Sequence, residues 1–248
     1  MFSKNIIFKN FNGKKNKLQK KFLNNIFKKE NLLKKYSFLY SLTENYIYSY
    51  KKKTIKQLKK FSSFNLIGMG GSILGSEAIY NFLSHKVNKS FTFYNNLQFQ
   101  NIPKTNKKKI NLVISKSGNT LETVSNFNLL LQKQRKNKNV ILCEKKNNFL
   151  SLLAKKLKAE IFEHKNYIGG RYSVLSETGM LPAELMGLNE KKFKRYNYLI
   201  KNKYFINSLI KNAVSIFDYS KKGKTNLVFL NYDEKSDNLF KWYQQLIA

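Results

Sequence analysis

Phe64-Asn-Leu-Ile-Gly-Met-Gly-Gly-Ser-Ile-Leu-Gly75 decides the fold class, because a short apolar run leads into a glycine-rich loop and then into a helical pattern. The apolar run predicts a strand, and residues 72–85 predict a helix. A glycine loop between a strand and a helix presents backbone N–H groups and the positive end of the helix to an anion. Gly70 and Gly71 allow a bulky anion to approach the backbone. Ser72 is predicted near the helix N-cap, with a hydroxyl that is free to donate.

Short apolar runs continue to alternate with helical patterns on both sides of this stretch. The predicted strands cover residues 64–67, 91–94, 110–115, 139–143 and 160–163, and the predicted helices cover residues 72–85, 120–134, 148–158, 178–188 and 191–219. This alternation predicts an α/β protein, a three-layer sandwich in which a parallel sheet is flanked by helices. Ligands of such sheets bind at the carboxyl ends of the strands.

The pattern also predicts how the chain is organised. Residues 1–60 are lysine-rich, have apolar positions at helical spacing, and predict a helical N-terminal segment. Residues 61–188 predict a first, complete α/β subdomain. Residues 189–248 predict linking helices followed by the start of a second, incomplete α/β subdomain, with a strand from Thr225 to Leu230 and a helix from Ser236 to Ala248.

Composition limits the class of protein. The chain has 248 residues, of which 42% are hydrophobic, and this is ample for a packed core. The net charge of +33 arises from 47 basic residues, yet only three are arginines and the lysines are spread along the chain. Proteins that read nucleic acids favour arginine and gather their charge on one face, so we expect no nucleic-acid partner. The positive field still attracts small anionic ligands.

Cysteine use and apolar run lengths predict the compartment. Cys143 is the single cysteine, so no intramolecular disulfide is possible, and its apolar surroundings predict a small buried side chain. The N-terminus lacks the apolar stretch of a signal peptide, and no run approaches the ~18 apolar residues of a membrane span. We therefore expect a cytoplasmic location and no membrane partner.

A second motif, Ser115-Lys-Ser-Gly-Asn-Thr-Leu-Glu-Thr123, follows the strand predicted at residues 110–115. Ser115, Lys116, Ser117 and Thr120, together with Asn119, form a dense polar loop before the next helix. Hydroxyls and exposed amides of this kind bind the terminal oxygens of phosphate groups. The alternative is an ordinary N-cap by Thr120, which explains one or two of these residues.

A third motif, Gly169-Gly-Arg-Tyr-Ser-Val-Leu-Ser176, adds a cation. Gly169 and Gly170 permit a close approach of the backbone, and Arg171 provides a permanently charged planar donor. The alternative role for Arg171 is a surface salt bridge. Two other phosphate sites are excluded, because a dinucleotide fingerprint needs glycine at Ile73 and a P-loop needs lysine at Ser76.

The order and local sequence of the three motifs, with the terminal Lys241-Trp-Tyr-Gln-Gln-Leu-Ile-Ala248, resemble the glucose-6-phosphate isomerase family over about residues 64–248. The resemblance implies a sugar-isomerase (SIS) fold of the flavodoxin-like type, built from two subdomains of which the first is complete here. It implies that Arg171 is the catalytic cation beside the reacting carbons. It also implies that the substrate contacts Gly71, Ser72, Ser115, Lys116, Ser117, Thr120, Gly170 and Gln245.

The resemblance further implies interconversion of glucose 6-phosphate and fructose 6-phosphate through a cis-enediolate, without cofactor or metal, in a protein that is a homodimer at full length. The catalytic glutamate of the family begins a run that follows the segment matching Gln244 to Ala248. We therefore expect the chain as given to lack this base, to bind sugar phosphate weakly and to turn nothing over. Two alternatives stay open: a non-catalytic sugar-phosphate sensor that gates a DNA-binding partner, and the isomerase half of a glucosamine-phosphate synthase or a related ketose–aldose isomerase.

Overall fold

Five parallel strands form one sheet in the computed structural model, which describes residues 35–97, 108–195, 199 and 201–247. The strands are β1 (Ser63–Gly68), β2 (Ser90–Tyr94), β3 (Ile110–Ile114), β4 (Lys138–Cys143) and β5 (Glu160–Glu163). Their order in the sheet is β2-β1-β3-β4-β5, and every neighbouring pair is parallel. All five strands were predicted from the sequence, and the flavodoxin-like order of an α/β sheet is confirmed.

Seven α-helices have their bounds within the described residues. They are α1 (Lys52–Leu58), α2 (Leu74–Phe82), α3 (Leu121–Lys133), α4 (Phe149–Leu157), α5 (Glu177–Leu185), α6 (Lys203–Lys221) and α7 (Asp237–Ile247). Short 3-10 helices lie at Ser37–Leu42, Gly70–Ser72, Ser84–Lys86, Gly170–Leu175, Glu190–Lys194 and Glu234–Ser236. None of the helices in the described part of the chain is both long and apolar enough to cross a bilayer.

The core is divided between the two faces of the sheet. Leu66 and Leu112 belong to one buried cluster, while their chain neighbours Ile67 and Val113 belong to the other. Successive side chains of a strand point to opposite faces, so strands covered on both faces are apolar throughout rather than alternating. This explains why the predicted strands are continuous apolar runs. Cys143 is 1% exposed, and its predicted burial is confirmed.

A row of asparagines crosses three neighbouring strands of the sheet, buried on β1 and β3 and half-buried on β4. Asn65, Asn111 and Asn139 are aligned on β1, β3 and β4. The Asn65 amide donates to the Asn111 side-chain oxygen at 2.8 Å, and the Asn111 amide donates to that of Asn139 at 2.9 Å. Asn137 also donates to the Asn111 oxygen at 3.0 Å. A slip of one residue would move these amides to the other face, so the row specifies the register.

The segment Tyr46–Tyr50 is not helical, although the sequence predicted helix throughout residues 1–60; residues 1–34 lie outside the described residues. The Tyr46 hydroxyl donates to the buried Glu177 carboxylate at 2.6 Å, and the Ser49 N–H donates to its other oxygen at 2.8 Å. The Tyr50 hydroxyl donates to Glu184 at 2.8 Å. The helical prediction is wrong here because these hydrogen bonds to α5 outweigh the local preference of the segment.

The described residues divide into two compact units. Those within Tyr40–Phe193 and Asn231–Ala248 form the unit that contains the sheet, and those within Met1–Leu39 and Lys194–Leu230 form the other. In the second unit, α6 begins after Asn202, whose side chain accepts from the Phe205 N–H at 3.1 Å. The long helix predicted at residues 191–219 is therefore interrupted before this cap.

The strand predicted from Thr225 to Leu230 is wrong. These residues form neither helix nor strand, and Val228 is 75% exposed. A strand needs a partner for its backbone N–H and C=O groups, and the described residues contain no strand outside the five-stranded sheet. The assignment of residues 189–248 to the start of a second subdomain stays a prediction.

Candidate functional site

The three predicted motifs follow the carboxyl ends of the strands. We call residues 69–73, which follow β1, the β1 loop; residues 115–120, which follow β3, the β3 loop; and residues 169–176, which precede α5, the arginine loop. β1 has β2 on one side and β3 on the other, so the strand order reverses between β1 and β3. This switch point is where open parallel sheets bind ligands.

In the β1 loop, Ser72 is not the N-cap of α2. Gly70, with φ of +53°, closes a 3-10 turn in which the Ser72 N–H donates to the Met69 carbonyl at 3.1 Å, and Ile73 occupies the N-cap position without a side-chain cap. Ser72 therefore lies near the N-cap as predicted, one residue before it, because the turn delays the helix. As a result, the Ser72 hydroxyl has no hydrogen-bond partner among the described residues.

The β1 loop and the β3 loop start on adjacent strands. Gly68 pairs with Ile114 in the sheet, and Ser115 is the next residue. The Cβ of Ser72 lies 3.2 Å from the position that a Cβ of Gly68 would occupy. Since neighbouring strands are about 4.8 Å apart, Ser72 and Ser115 stand over adjacent strand ends.

In the β3 loop, three hydroxyls converge. The Thr120 hydroxyl lies 3.0 Å from that of Ser115 and 3.5 Å from that of Ser117. Thr120 stands at the N-cap position of α3, yet its side chain makes no capping hydrogen bond. The alternative of an ordinary N-cap therefore fails, and the hydroxyl is turned towards the other two. Ser115 is buried and Ser117 is exposed, so the cluster runs from the sheet edge to solvent.

Two other polar side chains of the β3 loop point away from these hydroxyls. Lys116 donates from its ammonium to the Asn166 carbonyl at 2.8 Å and lies 3.6 Å from a Glu144 carboxylate oxygen. The Asn119 side-chain oxygen accepts from the Phe149 N–H at 2.9 Å, at the start of α4. The structure brings together the predicted hydroxyls, but not the predicted ammonium.

The arginine loop contacts the β1 loop through backbone atoms. A Cβ on Gly71 would lie 2.3 Å from the carbonyl of Gly170 and 2.7 Å from the Arg171 nitrogen. The buried Ser173 hydroxyl donates to the Gly170 carbonyl at 2.7 Å and lies 3.3 Å from the Gly71 carbonyl. The close approach predicted for Gly170 thus depends on Gly71, since a Cβ on Gly170 would meet nothing within 4 Å.

Arg171 and Gln245 complete the predicted set. Arg171 is exposed, and in the described part of the chain its guanidinium makes neither a hydrogen bond nor an ion pair, so a surface salt bridge does not account for it. The helix α7 packs on α2, and the Gln245 amide nitrogen lies 2.6 Å from where a Cβ of Gly70 would stand. The Gln245 side-chain oxygen is buried without a hydrogen-bond partner among the described residues.

Two residues outside the predicted site, one of them a histidine for which the sequence favoured a structural or surface role, lie at the same edge of the sheet. Glu144 follows β4, and a hydrogen bond from Lys146 at 2.8 Å lowers the pKa of its carboxyl. His164 follows β5, is 2% exposed, and its burial lowers the pKa of the imidazole. Their position directly after predicted strands was the available signal. Because His164 stays neutral near pH 7, the charges of this corner are those of Glu144 and of its two lysine partners, Lys116 and Lys146.

Together these residues can bind an anionic ester. Ser72, Ser117 and Thr120 lie on the two loops that flank the switch point, and the backbone N–H groups of Gly70 and Gly71 have no acceptor among the described residues. Such donors bind the terminal oxygens of a phosphate, and Arg171 lies on the neighbouring loop, where it can meet a second developing negative charge.

The chain is similar to proteins of known family. A family model described as phosphoglucose isomerase matches residues 16–247. A glucose-6-phosphate isomerase of Methanocaldococcus jannaschii is 30% identical over 205 residues, which are 78% of this chain and 51% of that protein. A probable glucose-6-phosphate isomerase of Methanococcus maripaludis is 28% identical over 250 residues, 90% of this chain and 55% of that protein. The chain spans about half the length of these relatives.

A solved structure shares the fold. A hypothetical protein of Thermus thermophilus superimposes with a TM-score of 0.64 at 20% identity, over 92% of this chain and 57% of that one. At this identity the likeness establishes the architecture of the chain, and the function has to be argued from the site.

Proposed function

Because this chain belongs to the phosphoglucose isomerase family, we propose that its three loops bind a phosphorylated sugar and serve the interconversion of glucose 6-phosphate and fructose 6-phosphate. The observation that carries the proposal is the Thr120 hydroxyl, which stands at a helix N-cap, does not cap, and lies 3.0 Å from the Ser115 hydroxyl. A threonine at an N-cap usually accepts a hydrogen bond from a backbone N–H of the first helical turn. Here its hydroxyl is available to a ligand at the switch point.

Each group has a role in this proposal. The hydroxyls of Ser72, Ser115, Ser117 and Thr120 and the free N–H groups of the β1 loop bind the phosphate. Arg171 lies on the loop that touches Gly71, so its guanidinium can meet the oxyanion of the cis-enediolate. One preorganised donor of this kind contributes roughly 10²- to 10³-fold in rate. Gln245 offers a buried oxygen without a partner in the described chain for a sugar hydroxyl.

The other predictions about the whole protein stay proposals. We propose a homodimer at full length and a cytoplasmic location, and the prediction that the chain as given lacks the catalytic base also stays a prediction. Incubation of this chain with glucose 6-phosphate, followed by measurement of fructose 6-phosphate, tests it. Turnover at a normal enzymatic rate would contradict the prediction that the chain as given lacks the catalytic base.

Binding tests the proposed site itself. We expect 6-phosphogluconate to bind this chain in isothermal titration calorimetry, and Thr120→Val, which keeps the shape and removes the hydroxyl, to weaken binding about 10- to 100-fold, the value of one hydrogen bond to a charged group. Ser84→Ala, an exposed serine outside the loops, is the matched control. Equal affinities for both variants would contradict the proposal.

Competition separates this proposal from the related isomerases. The alternative of a glucosamine-phosphate synthase half predicts that glucosamine 6-phosphate displaces 6-phosphogluconate readily. The proposed function predicts that the open-chain acid binds more tightly, because its carboxylate resembles the enediolate charge that Arg171 meets.

A further inference from the structure

The position of the Lys116 side chain follows from the backbone of the β3 loop. Ser115 and Ser117 direct their hydroxyls to Thr120, and Lys116 stands between them. Residues 116–118 form a bend, closed by the Gly118 N–H donating to the Ser115 carbonyl at 3.2 Å, and the ammonium has its contacts away from the hydroxyl cluster. It reaches the Asn166 carbonyl at 2.8 Å and the Glu144 carboxylate at 3.6 Å.

Glu144 is fixed more firmly than a surface partner would be. Its N–H donates to the Lys116 carbonyl at 3.0 Å, so the two residues are joined through the backbone as well as through their charges. The Glu144 side chain is only 10% exposed, and its second oxygen lies 2.8 Å from the Lys146 ammonium. Solvent screens such a partly buried pair less than an exposed one.

His164 closes the same corner without adding charge. It follows β5 at 2% exposure, its N–H donates to the Cys143 carbonyl at 2.8 Å, and its Nε2 is buried with no partner in the described part of the chain. A neutral imidazole in this position does not repel Lys116. The carboxylate of Glu144 therefore competes with a bound phosphate for the Lys116 ammonium. It already lies 3.6 Å from that ammonium, so neither side chain has to move.

We propose that Glu144 is a positioning residue that restrains the Lys116 ammonium outside the phosphate site, so that hydroxyls and backbone N–H groups set the affinity for the phosphate. The inference rests on the proposed function, because it assumes that the β3 loop binds phosphate. Because the Lys116 ammonium does not reach the phosphate, the complex lacks one charge-assisted hydrogen bond. The site therefore binds phosphate esters less tightly than it would with Lys116 released.

The test is a double-mutant cycle on this 248-residue chain, with 6-phosphogluconate as the probe in calorimetry. Glu144→Gln keeps the side-chain shape and removes the charge, and we expect it to tighten binding about tenfold. The gain should disappear when Lys116→Met is added, because no ammonium is then available. Glu163→Gln, which removes the same charge from the last residue of the neighbouring strand β5, is the control and should change affinity less than about twofold.

A second readout does not depend on the probe. Acetic anhydride labelling followed by mass spectrometry should acetylate Lys116 more slowly than the exposed Lys145 in the unaltered chain, and Glu144→Gln should remove most of that protection. The labelling reports directly how strongly Glu144 restrains the Lys116 ammonium. In the calorimetric cycle, a merely structural role of Glu144 would not produce a gain in affinity that depends on Lys116.

The outcomes separate the two claims. If the unaltered chain does not bind 6-phosphogluconate, the proposed function fails and the inference fails with it. If the chain binds and Thr120→Val weakens binding, but Glu144→Gln leaves affinity and Lys116 labelling unchanged or weakens binding, only the restraint is overturned.

Discussion

Gly71→Ala is the substitution whose effect the structure defines most sharply. A Cβ at this position would lie 2.3 Å from the carbon and the oxygen of the Gly170 carbonyl and 2.7 Å from the Arg171 nitrogen. All three atoms belong to the backbone, so no side chain can rotate away. The arginine loop must therefore move by about 1 Å to restore ordinary van der Waals contact.

The magnitude follows from this displacement. Overpacking of this kind costs about 1–3 kcal/mol of unfolding free energy. The Ser173 hydroxyl donates to the Gly170 carbonyl at 2.7 Å and lies 3.3 Å from the Gly71 carbonyl of the other loop, and the same shift would disturb this contact between the loops. Because Arg171 moves with the loop and would lose its hydrogen bond to the charged ligand, we expect 6-phosphogluconate to bind about 10- to 100-fold more weakly.

Gly169→Ala is the matched control. Gly169 has φ of −66° and ψ of 146°, which any residue adopts, and its added Cβ would meet only Tyr172 at 3.4 Å. For both variants, urea unfolding measures the stability and calorimetry measures the affinity for 6-phosphogluconate. If Gly71→Ala matches Gly169→Ala in stability and in affinity, the contact between the β1 loop and the arginine loop does not exist in solution.

Three further substitutions test the fold around the site. Asn111→Val removes a buried amide with three side-chain partners and should lower the unfolding free energy by about 2–4 kcal/mol in urea titrations, and an unchanged midpoint would contradict the asparagine row. Tyr46→Phe leaves the buried Glu177 carboxylate without its 2.6 Å donor and should cost about 1.5–3 kcal/mol, again measured in urea. His164 has a pKa below its ordinary 6.5 because it is buried, so below pH 6.5 the unfolded chain takes up a proton that the folded chain does not. Stability should therefore fall by up to about 1.4 kcal/mol per pH unit as the pH drops from 6.5 towards that lower pKa. His164→Gln should flatten this slope between pH 7.5 and 5.5, the exposed His85→Gln should not, and equal slopes in both would refute the assignment.

The sequence predicted the strands and the identity of the three loops because these are local features. An apolar run of four to six residues predicts a parallel strand that is covered on both faces of the sheet. A glycine-rich loop directly before a helix predicts an anion-binding loop. The strand at Ile110–Ile114 and the helix at Leu121–Lys133 were found within one residue at each end. The failures, a strand at residues 225–230 and helix across residues 46–50, fall where tertiary partners, or their absence among the described residues, decided the conformation.

The sequence by itself determined the fold class, the polar composition of the loops and the likeness to one enzyme family, since spacing and residue type are sufficient for these. Only the tertiary structure decided which predicted residues meet. It placed the hydroxyls of Ser115, Ser117 and Thr120 together and directed Lys116 to Glu144, a residue 28 positions later that becomes its neighbour only because β3 and β4 are paired. The physical reason is that hydrogen bonds and ion pairs across strand ends depend on register, and register is a property of the assembled sheet.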